Sequence, residues 1–288
     1  MLLSLISRNN KVFLRNKMLV FFSLLSVLIA VGLYAIFLQK LQVDSINQFI
    51  PVNNDIELLV SEWMVAGILT TTAMTSTLGV FGIYIHDLES KRTADFLVTS
   101  ASRFNIQLSY VFSSLIIGFA MTFVAFICCE LFIVAIGGDI LSFVALIKVL
   151  SLLVLAVLLS AMLNLLIVLF INSETAFSTV NTIIGTMIGF LCAIYVPMGV
   201  LPSAVQTVIH FFPVSHIAVL LRQVFMEQSL HSVFADAVAY EESYKVNFGV
   251  VYEIGDSIIS TTSSVLFIVG TIFVVGALSA IVYKRKNK

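Results

Sequence analysis

Residues 86–103 of the chain, HDLESKRTADFLVTSASR, hold six formally charged side chains between two long apolar runs. The run before this stretch covers residues 63–85, and the run after it covers residues 106–134. Each run is long enough to cross the hydrocarbon core of a membrane, which takes about 20 residues in a helix. The stretch therefore predicts a polar segment at one membrane surface, with a membrane-spanning helix on either side.

The composition of the whole chain is that of an integral membrane protein. Of its 288 residues, 60% are hydrophobic and only 11% are charged, and the mean hydropathy is +1.09. In a soluble globular domain about a quarter of the residues are charged, so the composition excludes that class. The net charge of -1 provides no basic surface for a nucleic acid, and no nucleic-acid partner is expected.

Six apolar stretches are long enough to cross a bilayer as helices. They cover residues 18–38, 63–85, 106–134, 141–171, 180–200 and 258–282. The first stretch follows a basic segment, but it is longer than the apolar core of a signal peptide, and we expect it to remain as an anchor. Six spans place both termini on the same side of the membrane.

Lysines and arginines are distributed unevenly between the two sides of these spans. Eleven of the 15 fall on the side of the termini: Arg8, Lys11, Arg15, Lys17, Lys91, Arg92, Arg103, Lys284, Arg285, Lys286 and Lys288. The other four are Lys40, Lys148, Arg222 and Lys245. Because basic residues are enriched in cytoplasmic loops, we predict cytoplasmic termini in a multi-pass protein of the cell (plasma) membrane.

Residues 1–17, MLLSLISRNNKVFLRNK, mix apolar side chains with four cations before the first span. This composition is typical of an amphipathic interfacial helix that lies on the anionic inner leaflet, in contact with membrane lipids. A basic flank that only sets the topology has the same composition, and the sequence alone does not separate the two.

Residues 86–105 form the polar segment between the second and third spans. If this segment is helical throughout, Leu88, Lys91, Arg92 and Asp95 share one flank, with Phe96 one turn beyond Arg92. That arrangement suits a short helix that offers charged and aromatic groups to a partner protein. An ordinary solvated loop is the alternative.

Three prolines interrupt the apolar sequence at the end of the fifth predicted span and just after it. Residues 189–224 read GFLCAIYVPMGVLPSAVQTVIHFFPVSHIAVLLRQV and contain Pro197, Pro202 and Pro213. An interior proline removes a backbone hydrogen bond and crowds the preceding turn, so this stretch is not one regular helix. We expect re-entrant helices that bend at these prolines and are buried against protein. The polar sequence that follows predicts an extracellular excursion, and the two together cover residues 201–257.

These two stretches resemble the permease subunits of type-2 ATP-binding-cassette (ABC) exporters. In the polar segment, the residues that match the family's pattern are Glu89, Thr93, Phe96, Leu97 and Arg103. Arg92 stands where the family has a glycine, and the family's proline is missing. In the second stretch the matching residues are Gly189, Pro197, Leu201, Pro202, Pro213, His216, Leu221 and Arg222.

The resemblance implies that residues 1–288 form a single transmembrane permease domain. The expected fold is all-α, with six transmembrane helices, cytoplasmic N and C termini, the amphipathic interfacial helix and re-entrant helices after span five. The resemblance also implies a set of residues that couple the permease to a separate ABC ATPase subunit: Glu89, Arg92, Thr93, Phe96, Leu97 and Arg103.

ATP and Mg are expected in the partner ATPase and not in this chain. The sequence has no G-x-x-x-x-G-K-[ST] phosphate-binding loop. We therefore expect neither a cofactor nor enzymatic activity of the chain itself.

Small and hydroxyl-bearing residues in the second and fifth spans allow close contact between helices. They include Thr71, Thr72, Thr75, Gly185 and Gly189. The resemblance implies that these residues face the substrate path and the axis of a dimer, which is formed with a second copy or a related permease. Packing within one chain is the alternative.

Glu130 and Lys148 carry formal charges inside the predicted apolar stretches, where ionisable residues are functional candidates. They lie nine residues before and nine residues after Asp139, which is in the turn between the third and fourth spans. Equal depth on adjacent antiparallel helices predicts a structural ion pair. A proton relay is the alternative.

No catalytic or metal site is predicted. Cys128, Cys129 and Cys192 lie in apolar runs without the spacing of a metal site or a disulfide framework. They are expected to be core residues. The histidines also lack the spacing of a helical metal motif.

The predicted function is export of an amphipathic or hydrophobic substrate, such as a drug, an antimicrobial peptide or a lipid-like molecule. A stand-alone secondary transporter is the alternative, but that class needs ion-coupling carboxylates near the bilayer midplane, and only Glu130 approaches this position. An intramembrane protease needs paired glutamates and histidines inside spans, whereas Glu241 and Glu242 lie in a polar segment.

Overall fold

The computed structural model describes residues 1–46, 54–98, 102–235, 238–255 and 257–286. The chain is 85% helical. Its helices are α1 Leu2–Arg15, α2 Lys17–Leu33, α3 Gln39–Ile46, α4 Asn54–Glu89, α5 Arg92–Val98, α6 Arg103–Ala135, α7 Phe143–Val168, α8 Glu174–Leu191, α9 Ser203–Phe211, α10 Pro213–Phe225, α11 Glu227–Val233, α12 Val238–Asn247 and α13 Thr261–Lys286. A π-helical turn, Tyr34–Leu38, joins α2 to α3, and a 3-10 turn, Met198–Val200, precedes α9. Strands β1, Glu253–Ile254, and β2, Ser257–Ile258, pair antiparallel.

Five helical stretches in the described residues are long and apolar enough to cross a membrane. They are Lys17–Ile36, Asp55–Glu89, Arg103–Ala135, Phe143–Val168 and Thr261–Lys286. The bent pair α9 and α10 raises the number to six if it is counted as one span. The predicted all-α membrane fold is confirmed. The fifth predicted span, 180–200, coincides in part with α8, which is not among these five stretches and ends at Leu191.

Helix α4 lies at the centre of the bundle. It is 36 residues long, and 83% of its most apolar window is buried inside the protein. Helices α6, α7, α8 and α10 all pack against it. Asp55 and Glu57 lie in its first turn, where carboxylates stabilise the positive end of the helix dipole.

Helix α1 is amphipathic and packs mainly against α6. Its buried residues Leu5, Ile6, Asn9 and Phe13 follow helical spacing, so they form one stripe that faces the bundle. Asn9 Nδ2 donates a hydrogen bond of 3.2 Å to Ser109 Oγ on α6. Asn16 separates α1 from α2, and its side chain accepts a hydrogen bond from the backbone N–H of Leu19 at the start of α2.

The three prolines lie at helix starts, where the missing N–H of proline leaves no hydrogen bond unmade. Pro197 precedes the 3-10 turn, Pro202 precedes α9, and Pro213 is in the first turn of α10. The axes of α9 and α10 cross at 88°. The predicted bend in this stretch is therefore present in the structure.

Candidate functional site: a coupling end and a lateral groove

One buried carboxylate joins four helices at the end of the bundle that carries α5, called here the coupling end. Asp87, near the end of α4, has a fully buried side chain. Arg8 of α1 donates two hydrogen bonds to it, one of them 2.9 Å from Nη2 to Oδ1, and Tyr110 of α6 donates a third of 2.7 Å. Arg92 Nη1 of α5 lies 3.7 Å from Oδ1.

The Asp87 cluster is electrostatically satisfied in spite of its burial. Its hydrogen bonds and charge raise the pKa of the Arg8 guanidinium, so Arg8 stays charged. A buried carboxylate with paired charge and several hydrogen bonds avoids most of the cost of desolvation. Four helices are consequently held by one side chain, which the sequence analysis did not single out.

A break in the helix at Lys91 separates α4 from α5. Lys91 has a φ of 60°, in the left-handed region that favours glycine, and its N–H bonds to Leu88 O at 3.2 Å. The expectation of one helical flank running from Leu88 through Asp95 is therefore wrong, because the chain turns between them. The glycine-like position is Lys91, one residue before Arg92.

Two residues of the polar segment 86–105, called here the coupling segment, hold the start of α8. Glu89 accepts a 2.7 Å hydrogen bond from the backbone N–H of Glu174, and the His86 ring bonds the Glu174 carboxylate. A carboxylate at a helix N-terminus satisfies free N–H groups and the helix dipole. The second and fifth predicted spans are thus linked at the coupling end.

The remaining predicted coupling residues differ in exposure. Phe96 is half-buried, and the Arg8 guanidinium lies 5.4 Å from its ring centroid, so its side chain packs on α1. Leu97 is 39% exposed and Val98 89% exposed. Thr93 is half-buried on the same helix. Residues 99–101 of the predicted coupling segment lie outside the described residues.

The C-terminal end of α13 also lies at the coupling end. Tyr283 donates a 2.7 Å hydrogen bond to the backbone carbonyl of Arg103, the first residue of α6. Lys286 Nζ donates to Leu169 O at 3.0 Å and also to Asn172. The N-terminal helix, α5 and the C-terminal helix end therefore share one end of the bundle.

A groove of about 870 Å³ runs from the coupling end along α4. Its walls come from α1, α2, α4 and α8, with Arg92 of α5 and Tyr195 also lining it. Four of the five residues predicted for the substrate path line this groove: Thr71, Thr72, Thr75 and Gly185. A volume of this size is typical of sites for drug-sized molecules, about 300–1,000 Å³.

The threonines present less polarity to the groove than their number suggests. Thr71 donates its hydroxyl hydrogen to Ile68 O at 3.0 Å, and Thr75 donates to Thr71 O at 3.0 Å. Because these donors are used within α4, only acceptor lone pairs remain for a ligand. The wall is thus weakly polar, and it suits a largely apolar molecule.

The two glycines predicted for the path have different surroundings. A Cβ atom at Gly185 meets no heavy atom within 4 Å, whereas a Cβ at Gly189 falls 2.2 Å from the Tyr195 ring. Gly185 therefore borders open space in the groove. Gly189 is needed for close packing of Tyr195 and does not line the groove.

The predicted ion pair between Glu130 and Lys148 is not formed. Lys148 Nζ lies 3.9 Å from Glu227 Oε2 on α11, and Glu130 faces the backbone of Leu141. Equal depth along two antiparallel helices does not fix the rotation of each helix about its axis. Here the rotation turns Lys148 toward α11 and Glu130 toward the loop before α7.

Arg222 was assigned by sequence to the outer side, but it is fully buried in α10. It donates to the carbonyl oxygens of Cys192 at 2.8 Å, Ala193 at 2.9 Å and Gly249 at 3.2 Å. Its guanidinium carbon lies 4.8 Å from the Trp63 ring centroid. A single cation thus satisfies carbonyls at the end of α8 and in the turn after α12. The signal in the sequence was a lone arginine in an apolar run.

The described structure is that of an all-α membrane protein with a charged coupling end and a weakly polar groove beside its central helix. Comparison with known families then gives the family. The model of the ABC-2 type transporter domain matches residues 2–226. The chain therefore belongs to the ABC-2 type transporter family. The domain of this family is the transmembrane component of a transporter and is not itself catalytic. No curated protein matches the chain.

Proposed function

We propose that the chain is the permease subunit of an ABC exporter that moves an amphipathic or hydrophobic substrate out of the cell. A separate ATPase subunit, which binds ATP and Mg, supplies the energy. The observation that carries the proposal is the continuity between the coupling end and the groove. His86 and Arg92 line the groove, and both belong to the segment that is tied to Asp87 and Glu174.

A force applied to α5 has a direct route to the groove. α5 meets the Asp87 cluster through Arg92, and Asp87 lies on the same helix as the groove-lining threonines. Closure of the ATPase against α5 would therefore move α4 and, through Glu89 and His86, the start of α8. Such a movement biases a two-state equilibrium between groove conformations.

The proposal includes a dimer in the plasma membrane, with a second copy or a related permease opposite the groove. The exposed side chains on α2 and α8 support this arrangement, because both helices border the groove and leave large apolar residues uncovered. These include Phe21, Leu28, Ile183, Met187 and Phe190. Lipid or a second permease would cover them.

A reconstitution experiment tests the energy source. The permease and a candidate ABC ATPase subunit would be purified separately and then combined in proteoliposomes. We expect no ATP hydrolysis by the permease alone, co-purification of the two proteins, and hydrolysis that changes when the permease is present. Robust ATP turnover by a verified preparation of the permease alone would contradict the proposal.

Cysteine labelling tests the orientation. Single cysteines at Ser90 and Ser232, both exposed, would be introduced in a background without the three native cysteines. We expect an impermeant thiol reagent to label the first only from the cytoplasm and the second only from outside. Labelling of both from the same side would show that the proposed topology is wrong.

A further inference from the structure

A second pocket of about 430 Å³ lies at the end of the bundle opposite the coupling end. It is enclosed by the start of α4, the loop between α6 and α7, and the junction of α10 with α11. Four carboxylates line it, from Asp55, Glu62, Asp139 and Glu227. This pocket has no part in the groove or in the coupling end.

Glu62 is the reason to regard this pocket as more than an acidic surface. Its side chain is only 8% exposed, and Oε2 is buried with no hydrogen-bond partner among the described residues. Ser229 offers the carboxyl one hydrogen bond, which leaves the other oxygen unsatisfied. A buried, unpaired carboxylate is costly unless a cation or a donor reaches it.

Within the described part of the chain, no lysine, arginine or histidine forms an ion pair with Glu62. Lys148 is 3.9 Å from Glu227, and His231 lines the pocket. Glu130 of α6 is a further acidic residue close to Glu62. Another carboxyl group of the pocket, that of Asp55, accepts a hydrogen bond from the neutral Ser232 hydroxyl. Acidic groups therefore outnumber basic groups around an unsatisfied acceptor.

We propose that this pocket binds an organic cation through an ammonium or guanidinium group that donates to Glu62. No group of three or more described His, Cys, Asp or Glu side chains converges to hold a metal ion, so the carboxylates are too dispersed to chelate a metal. Dispersed acceptors match the several N–H donors of a guanidinium. Leu58, Val224 and Phe225 complete the wall and suit the apolar part of the same molecule. The site is independent of the direction of transport and of the ATPase.

The test compares two probes of nearly identical shape. The full chain, in nanodiscs of zwitterionic phosphatidylcholine so that lipids do not attract cations, would be titrated calorimetrically with phenylguanidinium and with neutral phenylurea. Empty nanodiscs give the background. We expect phenylguanidinium to bind, phenylurea not to bind, and the affinity to fall as salt is raised.

Matched variants locate the site. Glu62→Gln keeps the shape and removes the charge, and we expect it to weaken phenylguanidinium binding at least about tenfold, the usual effect of a lost charged hydrogen bond. Glu242→Gln, at an exposed position of α12 that is not part of the pocket wall, should bind as the wild type does. Asp139→Asn, in the exposed loop, should bind phenylguanidinium more weakly than the wild type. If Glu62→Gln fails to fold, the affinity of Asp139→Asn is the test of the site.

Three results would overturn the proposal. Equal binding of phenylurea and phenylguanidinium would show that charge is not recognised. Unchanged affinity in Glu62→Gln or, where that variant does not fold, in Asp139→Asn would place the cation elsewhere. Binding of millimolar Ca²⁺ without any binding of phenylguanidinium would assign the pocket to an inorganic ion.

Discussion

Arg8 and Asp87, 79 positions apart in the chain, form a two-pronged ion pair that fixes the N-terminal helix to the end of the central helix. The same carboxylate accepts a hydrogen bond from Tyr110 and lies near Arg92. α1 and α5 are therefore not two independent surface helices. They are positioned by one buried charge, so a change at Asp87 affects the anchoring helix and the proposed coupling helix together.

Replacing Asp87 with alanine should lower the free energy of unfolding by about 3 kcal/mol. Loss of one partner of a buried ion pair typically costs about 3–5 kcal/mol, and Arg8, with 28% of its side chain exposed, regains some hydration. The measurement is unfolding by sodium dodecyl sulfate in mixed micelles. Asp95→Ala, on the exposed side of α5, is the control and should change little. The double variant with Arg8→Met should be less destabilised than the sum of the single variants; strict additivity would contradict the pairing.

Lys91→Gly should stabilise the turn between α4 and α5 by about 1 kcal/mol. A side chain in the left-handed region costs about 1–2 kcal/mol, from which the greater freedom of glycine in the unfolded chain subtracts a part. Arg92→Gly is the matched control, and because it weakens the first turn of α5 it should destabilise the protein. The same unfolding assay checks both, and the reverse order of the two variants would show that the break is misplaced.

The sequence predicted the elements of this end but not how they contact one another. Charge between apolar runs, the amphipathic N-terminal pattern and the prolines each report a local preference, and the corresponding helices and breaks are present. The sequence around Asp87 does not distinguish it from other acidic residues at the ends of spans, because only the packing of the helices brings Arg8 and Tyr110 to it. The Glu130 and Lys148 prediction failed for the same reason: spacing gives depth along a helix, whereas pairing also depends on rotation.

Leu97→Asp should weaken association with the ATPase more than Phe96→Ala does. Phe96 is one of the coupling residues that the resemblance implies, but its ring packs against the Arg8 guanidinium. Leu97 and Val98 are the large apolar side chains that α5 exposes. Loss of a binding hot spot costs about 2 kcal/mol or more, which is roughly thirtyfold in affinity. Co-purification across a titration of ATPase, at matched permease levels, measures the effect.

Phe96→Ala serves as the comparison in that experiment. We expect it to reduce stability, because it removes a contact with α1, and to reduce association less than Leu97→Asp does. Equal recovery of the ATPase by the wild type and Leu97→Asp would show that α5 is not the docking element.

Arg222→Met should destabilise the protein by about 3 kcal/mol or more. The substitution leaves three carbonyl groups without their donor, and each unsatisfied buried group costs about 1–3 kcal/mol. Gln223→Leu is the neighbouring control; it removes two hydrogen bonds at a half-buried position, one donated to Val250 O and one accepted from Thr261 Oγ1, and should cost less. Fluorescence of Trp63, the sole tryptophan, should change in the Arg222 variant because the guanidinium lies against its ring. A Trp63 spectrum unchanged from the wild type would contradict that contact.

The groove was predictable in composition and not in shape. Hydroxyl and glycine residues in two spans indicated surfaces of close approach, and four of the five line the groove. The exception is Gly189, where the Tyr195 ring fills the space that a side chain would need. Tyr195 can pack back against α8 because α8 ends at Leu191 and the backbone turns there. Where a helix stops inside a membrane protein depends on tertiary partners such as Arg222, and no local pattern records them.

Gly185→Leu should fill the groove without harming the fold. A Cβ at this position meets no atom within 4 Å, and leucine is a better helix former than glycine by about 0.8 kcal/mol. Stability should therefore be equal to or above that of the wild type, while export of an amphipathic dye by the permease–ATPase complex should fall. A cysteine placed at Thr75, on the facing wall, should react more slowly with a small thiol reagent when Gly185→Leu is present. Thr186→Leu, the next residue on α8 and not part of the groove wall, is the matched control and should leave labelling unchanged. Equal labelling rates in the two leucine variants would mean that Gly185 and Thr75 do not share one groove.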